Sequence, residues 1–331
     1  MGPLLGAVRH SAALLGFGSD VLGFDTERST DHGWGPRLQV FVAESDVQAV
    51  DEVIEAQLPE HYRGWPVRFG WDAVPVSKHV EVTALGEWLE QQLGFDPRAG
   101  LSTRDWLTAP QQSVLEVTAG AVFHDGLGEV EPVREALRWY PDELWLWLLA
   151  CQWHRLDQEE PFVGRAAEVG DELGSRVVAA RLVRDVVRLC FLLERRYAPY
   201  SKWLGSAFRE LDVHAAIESS LSAALAADEY PDREAALVDA VEELARRHNA
   251  LGLTAELETH VRLFHARPFR VLGSARFVEA CLDRISDPWL RSLPLVGSID
   301  QFVDSTDVLD SPRSARRAGA MYESALNPAE S

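Results

Sequence analysis

The sequence predicts an α+β protein, with a mixed sheet and its helices first and a large all-helical domain after it. Hydrophobic residues before about position 100 switch between a spacing of two and a helical spacing, and from about 101 the spacing is almost wholly helical. The boundaries read from this change are 1–100 for the sheet domain, 101–310 for the helical domain and 311–331 for a small, polar tail expected to be loosely ordered.

In "RLQVFV" Leu38, Val40 and Val42 share one face of a strand. "SDVQAVDEVIEAQL" follows with Val47, Val50, Ile54 and Leu58 at helical spacing, and Ser45 with Gln48 predicts a capping box. "GWPVRFGW" and "HVEVTAL" read as further strands. In the second, Val80, Val82 and Ala84 face one way and Glu81 and Thr83 the other. Helices are then expected over 110–120, 133–139, 142–157, 172–197, 212–227, 232–248, 254–265, 274–284 and 287–293. "YPDELW" and "EYPDRE" are Pro-Asp starts for two of them. No internal repeat is present.

In a chain of 331 residues, a hydrophobic fraction of 47% is enough to bury a substantial core. The formal net charge of −20 argues against long nucleic acids and anionic membrane surfaces, both polyanions. Cys151, Cys190 and Cys281 are far apart and odd in number, as expected in a reducing cytoplasm. No stretch reaches the length of a membrane span, and "MGPLLGAVRHSAALLG" lacks the basic start of a signal peptide. Only Lys78 and Lys202 of the 32 basic side chains are lysines, which singles them out as positions that can require an amine.

The stretch "GFGSDVLGFDTERSTDHGWGPR" combines glycines that let backbone approach a polyphosphate with a serine hydroxyl that can hold its oxygens. Asp31 before a strand, and Glu81 on a neighbouring one, can together hold Mg²⁺. Gly18-Ser19, the later Gly23 and Asp31 resemble the nucleotidyltransferase signature of Gly-Ser followed by acid-x-acid at a strand start, with Glu81 as the third acid. More closely, "GSDVLGFD", "STDHGWGPR", "GDELGSR" and "RRYAPYSKW" resemble the bacterial domain of unknown function 4037. The likeness implies a nucleotidyltransferase-like sheet domain that uses Mg²⁺ and an NTP. It implies catalytic roles for Asp31, Glu81 and Lys202, with Gly18 and Ser19 on the phosphates and a small-molecule acceptor. The second acid position is Gly33, which cannot ligate. Asp25 is an alternative metal ligand, His32 is expected to pack, and a degenerate nucleotide- or phosphate-binding module stays open beside the enzyme.

In "GDELGSRVVAARLVRDVVRLCFLLERRY", apolar nearly all round and so expected to be buried, Arg181, Arg184, Arg188 and Arg195 form a stripe. They have two possible sources of anions: internal acids such as Glu159, Glu160, Asp171 and Glu172, and a bound phosphate. After the Pro199 break, Tyr200, Lys202 and Trp203 can stack on a base and meet a phosphate, or form a packed corner. Weaker readings are a loop at His124-Asp125, a helix junction at Arg165, Glu168 and Asp171, and a helix end where Asn249 caps and charged His248 favours the dipole.

Overall fold

The structure, a computed structural model, describes residues 5–31, 33–72 and 74–322, apart from the side chain of Asp31. The chain is α+β. It divides into two compact units: residues up to Arg138 with Ser305–Ala318, and Trp139–Asp304 with the chain from Gly319. Residues 101–138, helical in pattern, lie in the first unit.

In the first unit β1 (Ser11–Leu14) leads into α1 (Ser19–Leu22), and β2 (Leu38–Phe41) into α2 (Val47–Gln57). Two hairpins follow, β3 (His61–Tyr62) with β4 (Trp65–Pro66) and β5 (Arg68–Trp71) with β6 (Val74–Lys78). Then come β7 (Val80–Thr83), α3 (Leu85–Leu93), α4 (Thr103–Thr108), α5 (Gln111–Thr118), β8 (Ala121–Asp125) and α6 (Val130–Ala136). The main sheet has the order β7-β2-β1-β8, with β2 parallel to β7 and β1 antiparallel to both its neighbours. Register sets Gln39 opposite Glu81 and Val40 opposite Val82. Because side chains alternate, Val40, Val42 and Val80 turn to one face, where they pack on Val50 and Ile54 of α2. Gln39, Phe41, Glu81 and Thr83 are left on the other.

The expected capping box at Ser45 does not form. Glu44–Asp46 closes a 3-10 turn, with the Asp46 N–H on Ala43 at 2.9 Å, so α2 starts late with Asp46 at its uncapped N-terminus. Ser102 and Asp105 make the reciprocal pair instead, at the start of α4.

The second unit contains α7 (Asp142–Glu168), α8 (Glu172–Leu193), α9 (Ser201–Phe208), α10 (His214–Ala226), α11 (Tyr230–Ala250), the short strands β9 (Arg262–Leu263) and β10 (Arg270–Val271), α12 (Ala275–Leu282), α13 (Pro288–Ser292) and α14 (Ile299–Phe302). Trp145, Trp147 and Trp153 of α7 are buried, as are all three cysteines, which are free thiols. Helix α8 is not buried all round: Leu173 and Val177 are 74% and 61% exposed. It also stops earlier than its periodicity suggests, with Arg195 in the left-handed region at φ 53°. Residues 254–265 are not helical, because side chains capture the backbone groups a helix would use. Asn249 bonds both the N–H and the C=O of Leu257, and Glu258 accepts the N–H groups of Thr259 and His260. In the first unit the chain ends with α15 (Thr306–Leu309) and α16 (Pro312–Ala318), where Arg316 pairs with Asp105 at 2.7 Å. Of the segment read as a loose tail, a 3-10 turn Gly319–Tyr322 follows α16, and residues 323–331 lie outside the described set. No helix among the described residues is long and apolar enough to cross a membrane.

His248 is enclosed rather than charged at a helix end. Its Nδ1 accepts from Trp153 Nε1 at 3.2 Å, which leaves Nε2 to donate to Thr254 at 3.2 Å. Burial pushes its pKa down to about 4. Glu160, also enclosed, is pushed up to about 7 by burial, against the pull of backbone N–H groups from Leu272, Gly273 and Ser274. The depressed histidine lowers stability as pH falls from 6.5 to about 4, whereas the raised carboxyl lowers it as pH rises from 4.5 to about 7. The two slopes oppose each other over that range. His248→Leu should remove one slope, so that between pH 7 and pH 5 it gains about 2 kcal/mol relative to wild type. Urea unfolding at both pH values checks this, and parallel profiles for the two proteins would refute it.

Candidate functional site

The turn after β1 is held from both sides. Leu15 donates its N–H to the Gln39 side chain on β2 at 2.9 Å, and Gly16 donates to the Glu116 carbonyl of α5 at 2.7 Å. Gly16 and Gly18 both have positive φ, 84° and 129°, and a Cβ at Gly18 would overlap the Arg37 guanidinium. Glycine is required there by backbone and by space together. Arg37 is shielded, with 4% side-chain exposure, and forms an ion pair with Asp20 just after the turn. Its guanidinium also lies 4.6 Å from the centre of the Phe17 ring. Gly120 closes the assembly: its N–H meets the Val21 carbonyl at 3.0 Å, and its φ is 69°.

Ser19 Oγ donates to Asp25 at 2.5 Å, and Trp34 Nε1 donates to the other Asp25 oxygen at 3.0 Å. Asp25 thus ties the loop to itself. Glu81 stands at the same end of the sheet, opposite Gln39. Its surface is open to solvent, yet the protein packed around it desolvates the carboxyl and raises its pKa. A hydrogen bond from Gln39 opposes that rise, and the charge of Glu87 adds to it. Glu116 is raised too, by burial first and by Asp310, while Gln112 and Arg37 pull it down.

The strand that should carry acid-x-acid begins at Leu38, later than the motif implies. Asp31 lies in a 3-10 turn, Glu27–Asp31, with its carboxylate, like His32, outside the described residues. Gly33 is buried at φ 64°, and a Cβ there would come within 3.3 Å of Phe17. The backbone itself disfavours an acid at that position. No group of three metal-ligating side chains converges among the described residues. Mg²⁺ bound through phosphates needs only one or two protein carboxylates.

In the second unit the arginine stripe meets internal acids. Arg181 pairs with Glu159 and Arg184 with Asp304, both at 3.0 Å. Arg195 packs 4.0 Å from the Trp145 ring centre and 3.4 Å from Asp142. Arg188 is held below the usual guanidinium range by burial and by Arg184, with Asp300, Asp185 and Asp304 opposing, and its Nη1 has no hydrogen-bond partner among the described residues. Tyr200 and Trp203 meet edge to face at 4.9 Å, and exposed Lys202 places Nζ 5.1 Å from the Trp203 ring centre. Asp171 caps α8 at Gly174, and Glu168 pairs with Arg267 at 2.6 Å. Arg165 sits 5.5 Å from the Phe162 ring centre. His124-Asp125 closes β8 rather than forming a loop. Asp125 accepts from Ser11 at 2.6 Å and from the N–H groups of Gly128, Glu129 and Glu131 at the start of α6.

Residues 106–204 match the family model described as a domain of unknown function, DUF4037. This segment belongs to the DUF4037 family. No curated protein and no solved structure matches the chain. The DUF4037 segment runs from α4 into α9, so it contains Glu116, the arginines Arg181–Arg195 and Lys202, and lies beyond Gly18, Ser19 and Glu81. Sequence reading missed Arg37, Gln39 and Glu116, which position the Gly16–Ser19 loop. Only the polar Gln39 on an otherwise apolar strand gave a signal, because a buried amide needs partners.

Proposed function

We propose that the first unit binds the polyphosphate of a nucleoside triphosphate with Mg²⁺, as a binding module on a nucleotidyltransferase-like sheet. The observation that carries this reading is the Gly16–Ser19 turn, fixed by Gln39 and Glu116 at the sheet end where Glu81 stands. The backbone N–H groups of Phe17, Gly18 and Ser19 would hold phosphate oxygens, the Ser19 hydroxyl would join them by exchanging Asp25 for phosphate, and Glu81 would hold the metal that offsets their charge. Gly33 in a left-handed turn favours binding over transfer, since the position of the second acid carries no ligand.

Nucleotidyl transfer to a small-molecule acceptor is the second reading, favoured by the desolvated Glu81 carboxyl. An acceptor oxygen would attack the α-phosphorus, the bond to the bridging oxygen would break, pyrophosphate would leave and the acceptor proton would pass to solvent. A cytoplasmic location accords with the free thiols.

Calorimetric titration with each NTP, with and without Mg²⁺, tests the proposal. Glu81→Gln, which keeps the Gln39 contact, should lower Mg²⁺-dependent affinity by about tenfold or more. Metal-independent binding, or equal affinity in the variant, would remove Glu81 from the site. Pyrophosphate release with an acceptor would decide for transfer.

A further inference from the structure

We propose that Phe17 is the platform on which the base of the nucleotide stacks, and that Gly33 is a glycine to leave room for it. This rests on the phosphate-binding reading of the adjacent Gly18 and Ser19.

Phe17 is an aromatic side chain between two glycines of positive φ, so the turn itself fixes where the ring projects. The ring is 53% exposed although large and apolar. It is nevertheless not loose. Arg37, itself anchored on Asp20, lies 4.6 Å from its centre, and the Trp71 ring is tilted by 48° at 6.3 Å. Trp71 is backed in turn by His79 at 5.3 Å, which stacks on Phe69 at 3.9 Å. A Cβ at residue 33 would stand 3.3 Å from Phe17 Cε2, closer than ordinary van der Waals contact. Any side chain at 33 would press on the ring. The missing acid and the exposed ring therefore have a single explanation: position 33 is given to holding Phe17.

Every base offers a π-face, and a ring held in place loses little freedom on stacking. The base of a triphosphate held on Gly18–Ser19 lies one ribose beyond the α-phosphate, and Phe17 is the exposed aromatic side chain in that turn. The shared chemistry is a planar heteroaromatic ring tethered to a polyphosphate.

The test compares tripolyphosphate with ATP, GTP, CTP and UTP, all with Mg²⁺, on wild type, Phe17→Leu and Phe17→Trp, with thermal unfolding as a check that each variant folds. Wild type should prefer nucleotides over tripolyphosphate by about tenfold or more. Phe17→Leu should abolish the preference while tripolyphosphate affinity stays within about twofold, and Phe17→Trp should restore it. A preference unchanged in Phe17→Leu, or absent from wild type, overturns the platform and leaves the phosphate site standing. Binding of neither tripolyphosphate nor nucleotide by wild type overturns both.

Discussion

Replacing Gly120 with alanine should destabilise the first unit by about 3 kcal/mol. Two costs add. A residue with a Cβ is strained at φ 69°, and the new Cβ would overlap the Leu14 carbonyl oxygen, a backbone atom that no side-chain rotation can move aside. Leu14 ends β1, immediately before the turn that Gln39 and Glu116 hold, and Gly120 also ties Val21 on the far side of that turn. Relief of the overlap must therefore shift the turn, and tripolyphosphate affinity should fall with stability. Urea unfolding gives the first quantity and calorimetry the second. A loss under about 1 kcal/mol would show that the close approach to Leu14 is not maintained in solution.

Trp153→Ala should cost the second unit about 4 kcal/mol. The indole is fully buried and stacks on Phe277 with centroids 4.5 Å apart. Its removal leaves a cavity and also takes away the donor to His248 Nδ1, a buried acceptor that then has no partner there. Trp65→Ala is the matched control. That side chain is 47% exposed and contacts Trp34 edge to face at 4.7 Å, so its loss should cost under about 1 kcal/mol. Denaturant unfolding of both variants checks the pair, and equal losses would contradict the assignment of Trp153 to the core.

Much of the fold was legible because alternation and helical spacing report local dihedral preferences. The face of Leu38, Val40 and Val42, and the opposite placing of Glu81, follow from such spacing alone. Residues 254–265 were misread as a helix because their apolar spacing is helical while Asn249 and Glu258 take the backbone for themselves. The Ser45 box failed for a similar reason, since a 3-10 turn took up the residues before it. In the site, Gly18 and Ser19 could be read from sequence, whereas the groups that fix them could not. Arg37 and Glu116 are far from Gly16 along the chain, and nothing in their own surroundings marks them.

By itself the sequence determined the fold class, the glycine loop at Gly18–Ser19, the outward side of Glu81 and the family of residues 106–204. Tertiary structure alone decided which acids meet Arg181 and Arg184, that His248 is neutral, that Asp25 is bound by Ser19 and Trp34, and that Gly33 is left-handed against Phe17. The physical reason is range. Backbone preference is set by a few neighbouring residues, while charge pairing, desolvation and steric room are set by whatever the rest of the chain brings alongside.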